Sequence, residues 1–386
     1  MLPDARRARG RDPRIATAIV GVSRPERVAG TRHTDTAPLT APSQENTMPI
    51  RTAIIGFGTG GRVFHAPLLT AEPRFTVSAI VTTDPARVAA AADAYPRADI
   101  LSGPDEVLAR DDLGLIVITS PNSTHAPLAR RAIAAGIPVV IDKPLGISSA
   151  EARSLIEEAE AAGVPLTVFQ NRRWDGDFLT LRRALAAGDI GEVHQFESAF
   201  EKWAPTLIQR WKDIATPEEG GGILLDLGPH LIDQALLLFG DVVAIHAELD
   251  RRRPGAVADD DVFLALTHAN GVRSRLWMNA TAPANRPRFR VLGSRGVLTS
   301  HGLDPQEPQS KAGLRPLDPG FGVHADGRTA LLTTPDGERP APLLPGEHLA
   351  FYRALGDALT SGAPLPVDPR DCVRGLEIIE AARRPA

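Results

Sequence analysis

Residues 51–61 read Arg51-Thr52-Ala53-Ile54-Ile55-Gly56-Phe57-Gly58-Thr59-Gly60-Gly61, and helical spacing follows from Val63 to Leu69. A short β-branched run that opens into glycines and then a helix is a strand–loop–helix. Gly56, Gly58 and Gly61 stand in the spacing G-x-G-x-x-G. In that context the first glycine permits a tight turn, the second admits a pyrophosphate close to backbone, and the third lets helix and strand pack. The helix N-terminus adds attraction for negative charge. An accidental turn would not require the second strand, Phe75 to Val81, that follows the helix. The loop therefore points to a dinucleotide, cradled by Gly56, Phe57, Gly58, Thr59, Gly60 and Gly61.

Outward from the loop, helical segments (Pro85 to Tyr95, Pro127 to Ala135, Ser149 to Ala162) alternate with apolar strands (Leu115 to Thr119, Pro138 to Asp142, Pro165 to Phe169). That alternation predicts a parallel, doubly wound α/β Rossmann sheet. After Asn171 the rhythm changes. A helix, Phe178 to Ala187, leads into strands at Glu192 to Glu201, Val242 to Leu249, Asp261 to His268, Arg273 to Thr281, Arg288 to Leu292 and Val297 to Ser300. Turn-like links such as Asn270-Gly271 imply a predominantly antiparallel, open sheet in an α+β second domain. Residues 302–346 are rich in Pro and Gly, with a hairpin turn expected at Pro335-Asp336-Gly337, and two helices, Glu347 to Ser361 and Arg370 to Arg383, close the chain. The expected organisation is a disordered extension over 1–47, a dinucleotide-binding domain over 48–170, a substrate-binding and oligomerisation domain over 171–345, and C-terminal helices over 346–386 that pack back on the first domain.

Composition narrows the function. With 386 residues, 43% of them hydrophobic and 23% charged, the chain can bury two sizeable cores. A net charge of −4 offers no field for collecting nucleic acid. One cysteine, Cys372, makes neither an internal disulfide nor a Cys-x-x-Cys metal frame. No apolar run reaches the length of a membrane span. Residues 1–47 hold eight arginines and no periodic pattern. A twin-arginine export signal at Arg6-Arg7 is the alternative, but Asp12 and Pro13 interrupt it. A disordered extension ahead of a working start at Met48, in a cytoplasmic protein, is the preferred reading.

Three groups of side chains carry chemistry. The second strand ends at Thr82-Thr83, and an acid arrives only at Asp84, whose plain role is to cap the helix that Pro85 begins. Hydroxyls with Arg87 nearby suit a 2′-phosphate better than a carboxylate would, so NADP is favoured over NAD. Lys143 is one of four lysines against 39 arginines, and it stands at the carboxyl end of a buried strand, where open α/β sheets bind ligands. Beside a positively charged nicotinamide it is a candidate to take or share a proton. Pro144 also admits a cis Lys143–Pro144 bond. Finally, Asp226, His230 and Asp233 are the polar insertions in a long apolar stretch. Their spacing brings them to one side of a helix, facing a cleft rather than solvent. Pro229 is expected in the first helical turn, which leaves Asp226 in the lead-in. A carboxylate beside a histidine suits acid–base work at an alcohol. A metal site lacks a convincing third or fourth ligand.

Taken together, the chain resembles the Gfo/Idh/MocA family of oxidoreductases over residues 50–384. The resemblance rests on Gly56-Phe-Gly-Thr-Gly-Gly-Arg-Val-Phe-His-Ala-Pro, Thr119-Ser-Pro-Asn-Ser-Thr-His125, Asp142-Lys-Pro, and Gly221-Gly-x-x-x-Asp226-Leu-Gly-x-His230-x-x-Asp233. The Phe-His-Ala-Pro stretch and Asn171-Arg-Arg-Trp-Asp-Gly are most similar to the branch of NADP-dependent scyllo-inositol dehydrogenases. The resemblance implies that Lys143 is the catalytic lysine and that Asp226 and His230 form the acid–base pair on the substrate hydroxyl. It further implies that Ser120, Pro121, Asn122 and His125 line the ribose and nicotinamide, and that Asn171, Arg172, Trp174 and Trp211 (after Arg210) belong to the substrate pocket. The family usually has Glu where this chain has Asp142, which alters how Lys143 or the ribose is held. The implied activity is oxidation of a secondary hydroxyl of a cyclitol or sugar, with NADP or NAD as hydride acceptor, in a homodimer or homotetramer. A non-catalytic cofactor-binding sensor, or another reductase such as a dihydrodiol dehydrogenase, is the rival.

Overall fold

The computed structural model describes residues 48–208 and 211–384; the readings made for residues 1–47 and for Arg210 lie outside them. Six parallel strands form the first sheet: β1 (Ile50–Ile55), β2 (Phe75–Val81), β3 (Asp99–Leu101), β4 (Leu115–Ile118), β5 (Val139–Asp142) and β6 (Leu166–Phe169), in the order β3-β2-β1-β4-β5-β6. The order reverses between β1 and β4, which opens a crevice at their carboxyl ends. Strand β4 is buried at every residue, as a strand covered on both faces must be. The flanking helices are α1 (Ala66–Ala71), α2 (Pro85–Ala94), α3 (Pro104–Leu108), α4 (His125–Ala134) and α5 (Ser149–Ala162). Ser148 caps α5 by accepting from the Glu151 amide at 3.1 Å, and Gly163 ends it in a left-handed conformation. The edge pair β3 and α3 was not anticipated, because three strand residues between Pro96 and Gly103 are too few to show a period.

Beyond β6, α6 (Gly176–Ala186), α7 (Trp211–Ile214) and α8 (Ile223–Phe239) accompany an eight-stranded sheet. Its strands are β7 (Val193–Glu201), β8 (Val242–Asp250), β9 (Asp261–His268), β10 (Arg273–Asn279), β11 (Phe289–Gly293), β12 (Val297–Ser300), β13 (Thr329–Thr334) and β14 (Gly337–Pro342), ordered β14-β13-β12-β11-β7-β10-β9-β8. Every neighbouring pair is antiparallel except β7 with β10. Alternate residues of β9 and β10 (Val262, Leu264, Leu266, Leu276, Met278) are buried, and α8 packs against β7, β9 and β10. The opposite face of this sheet stays partly open. The hairpin at Pro335-Asp336 is present, with Thr334 opposite Gly337.

Helix α8 corrects one expectation: it begins at Ile223, so Asp226 lies on it and Pro229 sits inside it. The local cap signal loses to a tertiary one. Asp259, from the loop before β9, accepts the Leu224 amide on its carboxylate at 2.7 Å and the Ile223 amide on its carbonyl at 2.8 Å. That supplies at the start of α8 what Gly222 has no side chain to give.

The short α9 (Gln306–Lys311) precedes β13, and α10 (Leu349–Ser361) and α11 (Pro369–Ala382) follow β14. Helix α11 touches α5, β6, α8 and β8. Glu380 accepts the amide and hydroxyl of Ser149 at 2.6 and 2.8 Å, while Arg383 donates to the carbonyls of Pro217 and Gly221 at 3.1 Å. One helix thus fastens α5 of the first sheet's layer to the loop that starts α8.

Candidate active site

The glycine loop is shaped by contacts on three sides. Gly56 has φ +103, and a Cβ there would lie 2.9 Å from the Thr119 backbone; a Cβ on Gly61 would lie 2.2 Å from the Gly56 carbonyl oxygen. Thr119 Oγ1 donates to that carbonyl at 2.7 Å, tying the loop to the end of β4. Phe57 turns inward against Tyr95, and Thr59 leads into the turn Gly60–His65 that runs on into α1. Only Gly58 faces open space, with the Arg87 guanidinium as its nearest neighbour at 4.0 Å. An open backbone at the middle glycine, walled by the other two, is the cradle a pyrophosphate needs.

At the end of β2, Thr82 is buried and Thr83 and Arg87 are exposed. Asp84 spends its carboxylate as the cap of α2, accepting the Arg87 amide at 2.9 Å. Along the crevice, the Ser120 hydroxyl pairs with Thr124 at 2.6 Å after Pro121, and Asn122 donates to the Gly220 carbonyl at 2.9 Å. His125 is buried with its ring nitrogens on the carbonyls of Pro144 and Ser120, each at 2.8 Å. It ties the loop at Ser120 to the turn at Pro144.

The carboxyl end of β5 brings the next groups together. Asp142 accepts the Lys143 amide at 2.9 Å, and its other oxygen would lie 2.7 Å from a Cβ on Gly60, so this shorter acid rests against the glycine loop. The Lys143–Pro144 peptide is cis. Lys143 Nζ donates to the carbonyl of Asp226 and, at 3.2 Å, to its carboxylate. The two side chains keep 15% and 21% exposure, so the pair is reachable from the cleft. One turn on, His230 is buried, and its Nδ1 has no hydrogen-bond partner. Burial first, then the nearby Lys143, pushes its pKa well below the usual histidine value, so the ring is neutral at physiological pH.

The third member of the expected trio does not join this site. Asp233 is held by Arg173 at 2.8 and 2.6 Å, and Arg173 also reaches Asp371 at 2.9 Å, a brace between α8 and α11. Asn171 and Arg172 are buried; the Arg172 guanidinium lies 2.9 Å from Glu307 and 3.4 Å from Asp175. Trp174 packs edge-on against Phe351, whereas Trp211 is 39% exposed. A small pocket beside Asp226 is lined by Lys202, Asp213, Arg253 and Asp259, residues that sequence reading missed because none belongs to a motif. Among the described residues one trio has the spacing of metal ligands, Asp175, Asp304 and His348. Its atoms are already engaged: His348 with Asp175 at 2.8 Å, Asp304 with the amides of Gly176 and Gln306.

A Rossmann crevice with an open glycine cradle, and a lysine, carboxylate and histidine at its mouth, defines a nicotinamide-dependent oxidoreductase. The chain belongs to the Gfo/Idh/MocA family: residues 50–170 match the model described as "Oxidoreductase family, NAD-binding Rossmann fold" and residues 178–299 the "GFO/IDH/MocA C-terminal domain". The oxidoreductase YdgJ of Escherichia coli (strain K12) is 39% identical, covering 86% of this chain and 94% of its own. The scyllo-inositol 2-dehydrogenase (NADP(+)) IolW of Bacillus subtilis (strain 168) is 31% identical over 86% of this chain and 92% of its own. Among solved structures, the oxidoreductase yvaA of Bacillus subtilis superposes with a TM-score of 0.80 at 30% identity, covering 86% of this chain and 95% of that one. The protein is an NAD(P)-dependent dehydrogenase of this family. No helix among the described residues is long and apolar enough to cross a membrane.

Proposed function

We propose that the protein oxidises a secondary hydroxyl of a cyclitol or sugar with NADP as the preferred acceptor. The observation that carries the reading is the group Lys143, Asp226 and His230, assembled from two elements at the open carboxyl end of the parallel sheet. When bound, the nicotinamide supplies the hydride-accepting carbon. The protein's own residues orient the alcohol and manage its proton. Lys143 is bonded to the carbonyl and carboxylate of Asp226, which suits it to hold the substrate oxygen as a charged donor. His230 is buried and neutral, the state required of a proton acceptor. This favours His230 over Lys143 as the base. Gly56, Gly58 and Gly61 would hold the pyrophosphate, with Ser120, Pro121, Asn122 and Asp142 along the ribose and nicotinamide. Thr82, Thr83 and Arg87, with Asp84 occupied as a cap, favour a 2′-phosphate. Asn171, Arg172 and Trp174 would shape the substrate pocket, with Trp211 at its rim. The relative named as an NADP-dependent scyllo-inositol 2-dehydrogenase supports the substrate class.

The test is nicotinamide absorbance with NADP and NAD in turn across myo-inositol, scyllo-inositol and common aldoses. Reduction with one polyol and NADP is the expected result; cofactor binding with no turnover on any polyol or sugar would favour the sensor reading. Lys143→Met is expected to lower turnover by at least a thousandfold while cofactor binding, read by quenching of protein fluorescence, stays within a few-fold. Full activity in that variant sinks the assignment. We further propose a homodimer or homotetramer formed on the open face of the second sheet.

A further inference from the structure

Behind the catalytic group lies a set of buried polar residues that the reaction as described does not use. Gln234, one turn beyond His230 on α8, is fully buried and donates its amide N–H to the Arg172 carbonyl at 2.9 Å. Its amide oxygen accepts from Arg288 at 2.9 Å. Arg288 is 1% exposed, donates to Ser198 at 2.6 Å, and lies over the Phe289 ring at 4.1 Å. Arg172 and Arg288 both stack near Phe200, at 5.5 and 5.9 Å from its centroid. Four buried polar atoms in this region make no hydrogen bond: the Nε of each arginine, Oδ2 of Asp177 and Nδ1 of His230.

Two buried guanidinium groups are costly unless each is matched by a carboxylate. Arg172 has Asp175 and Glu307. Arg288 has Asp177, 3.5 Å from its Nε, and Asp175 at longer range, and burial pushes the Asp177 carboxyl up to about 7. The Arg288 charge is therefore incompletely compensated. Arg288 is bonded to Gln234, one turn from the histidine of the site, and that placement gives it a further role.

We propose that Gln234 and Arg288 are positioning residues for the reaction, a buried clamp that ties the His230 turn of α8 to the Arg172 turn after β6 and sets His230 against two fixed positive charges. The charged groups that act on His230 are Lys143 from the turn after β5, Asp226 on α8 itself, Arg172 from the turn after β6 and Arg288 just before β11, the last two segments being bonded to Gln234 one turn on from the ring. Three are cations and one is an anion, so the field adds to burial in favouring the neutral ring. The consequence is a base that works at lower pH than a free histidine would. This inference rests on the reading of His230 as the proton acceptor.

A base must be neutral, so kcat/KM falls as pH drops through the His230 pKa. Removing a neighbouring positive charge, or adding a negative one, raises that pKa and moves the acid limb to higher pH. Gln234→Glu adds the negative charge with nearly the same shape, and Arg288→Gln removes the positive one. The direct readout is the imidazole titration of His230 by NMR in the full-length protein, its resonance assigned by its loss in His230→Gln. In the native chain the midpoint is expected below that of a free histidine, and in both variants about one pH unit higher, a tenfold gain in proton affinity. Arg288→Lys, which restores the charge, is expected to return the native midpoint. The acid limb of kcat/KM should move with it while cofactor affinity stays constant. A native midpoint at or above about 6.5, or a midpoint unchanged in either folded variant, overturns the proposal. A shifted midpoint with an unshifted acid limb also overturns it, since the clamp would then not act on the reaction. Failure of the substrate reading looks different: no polyol or sugar is oxidised, yet the NMR midpoints still move.

Discussion

Arg87 is the residue on which cofactor choice turns, because the acid beside it is already committed. Asp84 caps α2, and the guanidinium of Arg87 stands beside Gly58, the open glycine of the loop. A charge-assisted bond to a 2′-phosphate is worth about 1.5–3 kcal/mol. Arg87→Ala should therefore weaken NADP binding at least tenfold and leave NAD nearly unchanged, as read by titration of each reduced cofactor; an equal loss for both would assign Arg87 to the shared pyrophosphate. As polar groups in or just beyond a strand or helix otherwise largely buried, Lys143, Asp226 and His230 were legible in the sequence as candidates. Arg288 and Gln234 were not. Arg288 is one arginine among many beside a proline, and nothing local announces that its strand turns it into the core behind α8. Asp233 shows the limit of helical spacing: it shares a side with His230, but a distant residue, Arg173, claims it.

The glycine loop is the element whose behaviour separates folding from binding. A Cβ on Gly61 would meet the Gly56 carbonyl at 2.2 Å, a backbone atom that cannot yield. Gly61→Ala is therefore expected to cost about 3 kcal/mol, lowering the thermal midpoint and cofactor binding together. A Cβ on Gly58 meets nothing nearer than Arg87 at 4.0 Å, so Gly58→Ala should keep the native midpoint. It intrudes where a pyrophosphate would lie, and cofactor affinity should fall at least tenfold. Native affinity in Gly58→Ala would remove the loop from the binding site. Elements of this kind, set by runs of local residues, were readable from period and punctuation: β2, α5, β9 and β12 begin and end where the sequence suggests. The start of α8 was not, because its cap comes from Asp259, over thirty residues downstream. A contact between distant segments leaves no local trace.

At the scale of the molecule, the second sheet presents one covered and one partly open face. The covered face packs on α8 and so supports the helix that carries Asp226 and His230. On the open face Phe263 and Trp277 stack with centroids 5.3 Å apart, and Arg286 lies 5.0 Å from the Trp277 ring. At the edge, β8 places His246 and Glu248 on the same face, opposite Ala265 and Phe263. Two aromatic rings on an open sheet face, with Arg275, Glu197 and Arg290 at neighbouring positions, match the aromatic and arginine content of an interface. Pairing two copies there would bury about 1,600 Å² if the face is used as a standard interface. Because the same sheet backs α8, loss of the pairing would loosen the support of the site without touching it. The double substitution Phe263→Asp and Trp277→Asp should therefore halve or quarter the mass seen by sedimentation. Activity should then become dependent on protein concentration in a Trp277→Ala variant, where the pairing is only weakened. A native chain that sediments as a monomer at micromolar concentration would remove this face from the assembly and leave β8 as an unpaired edge.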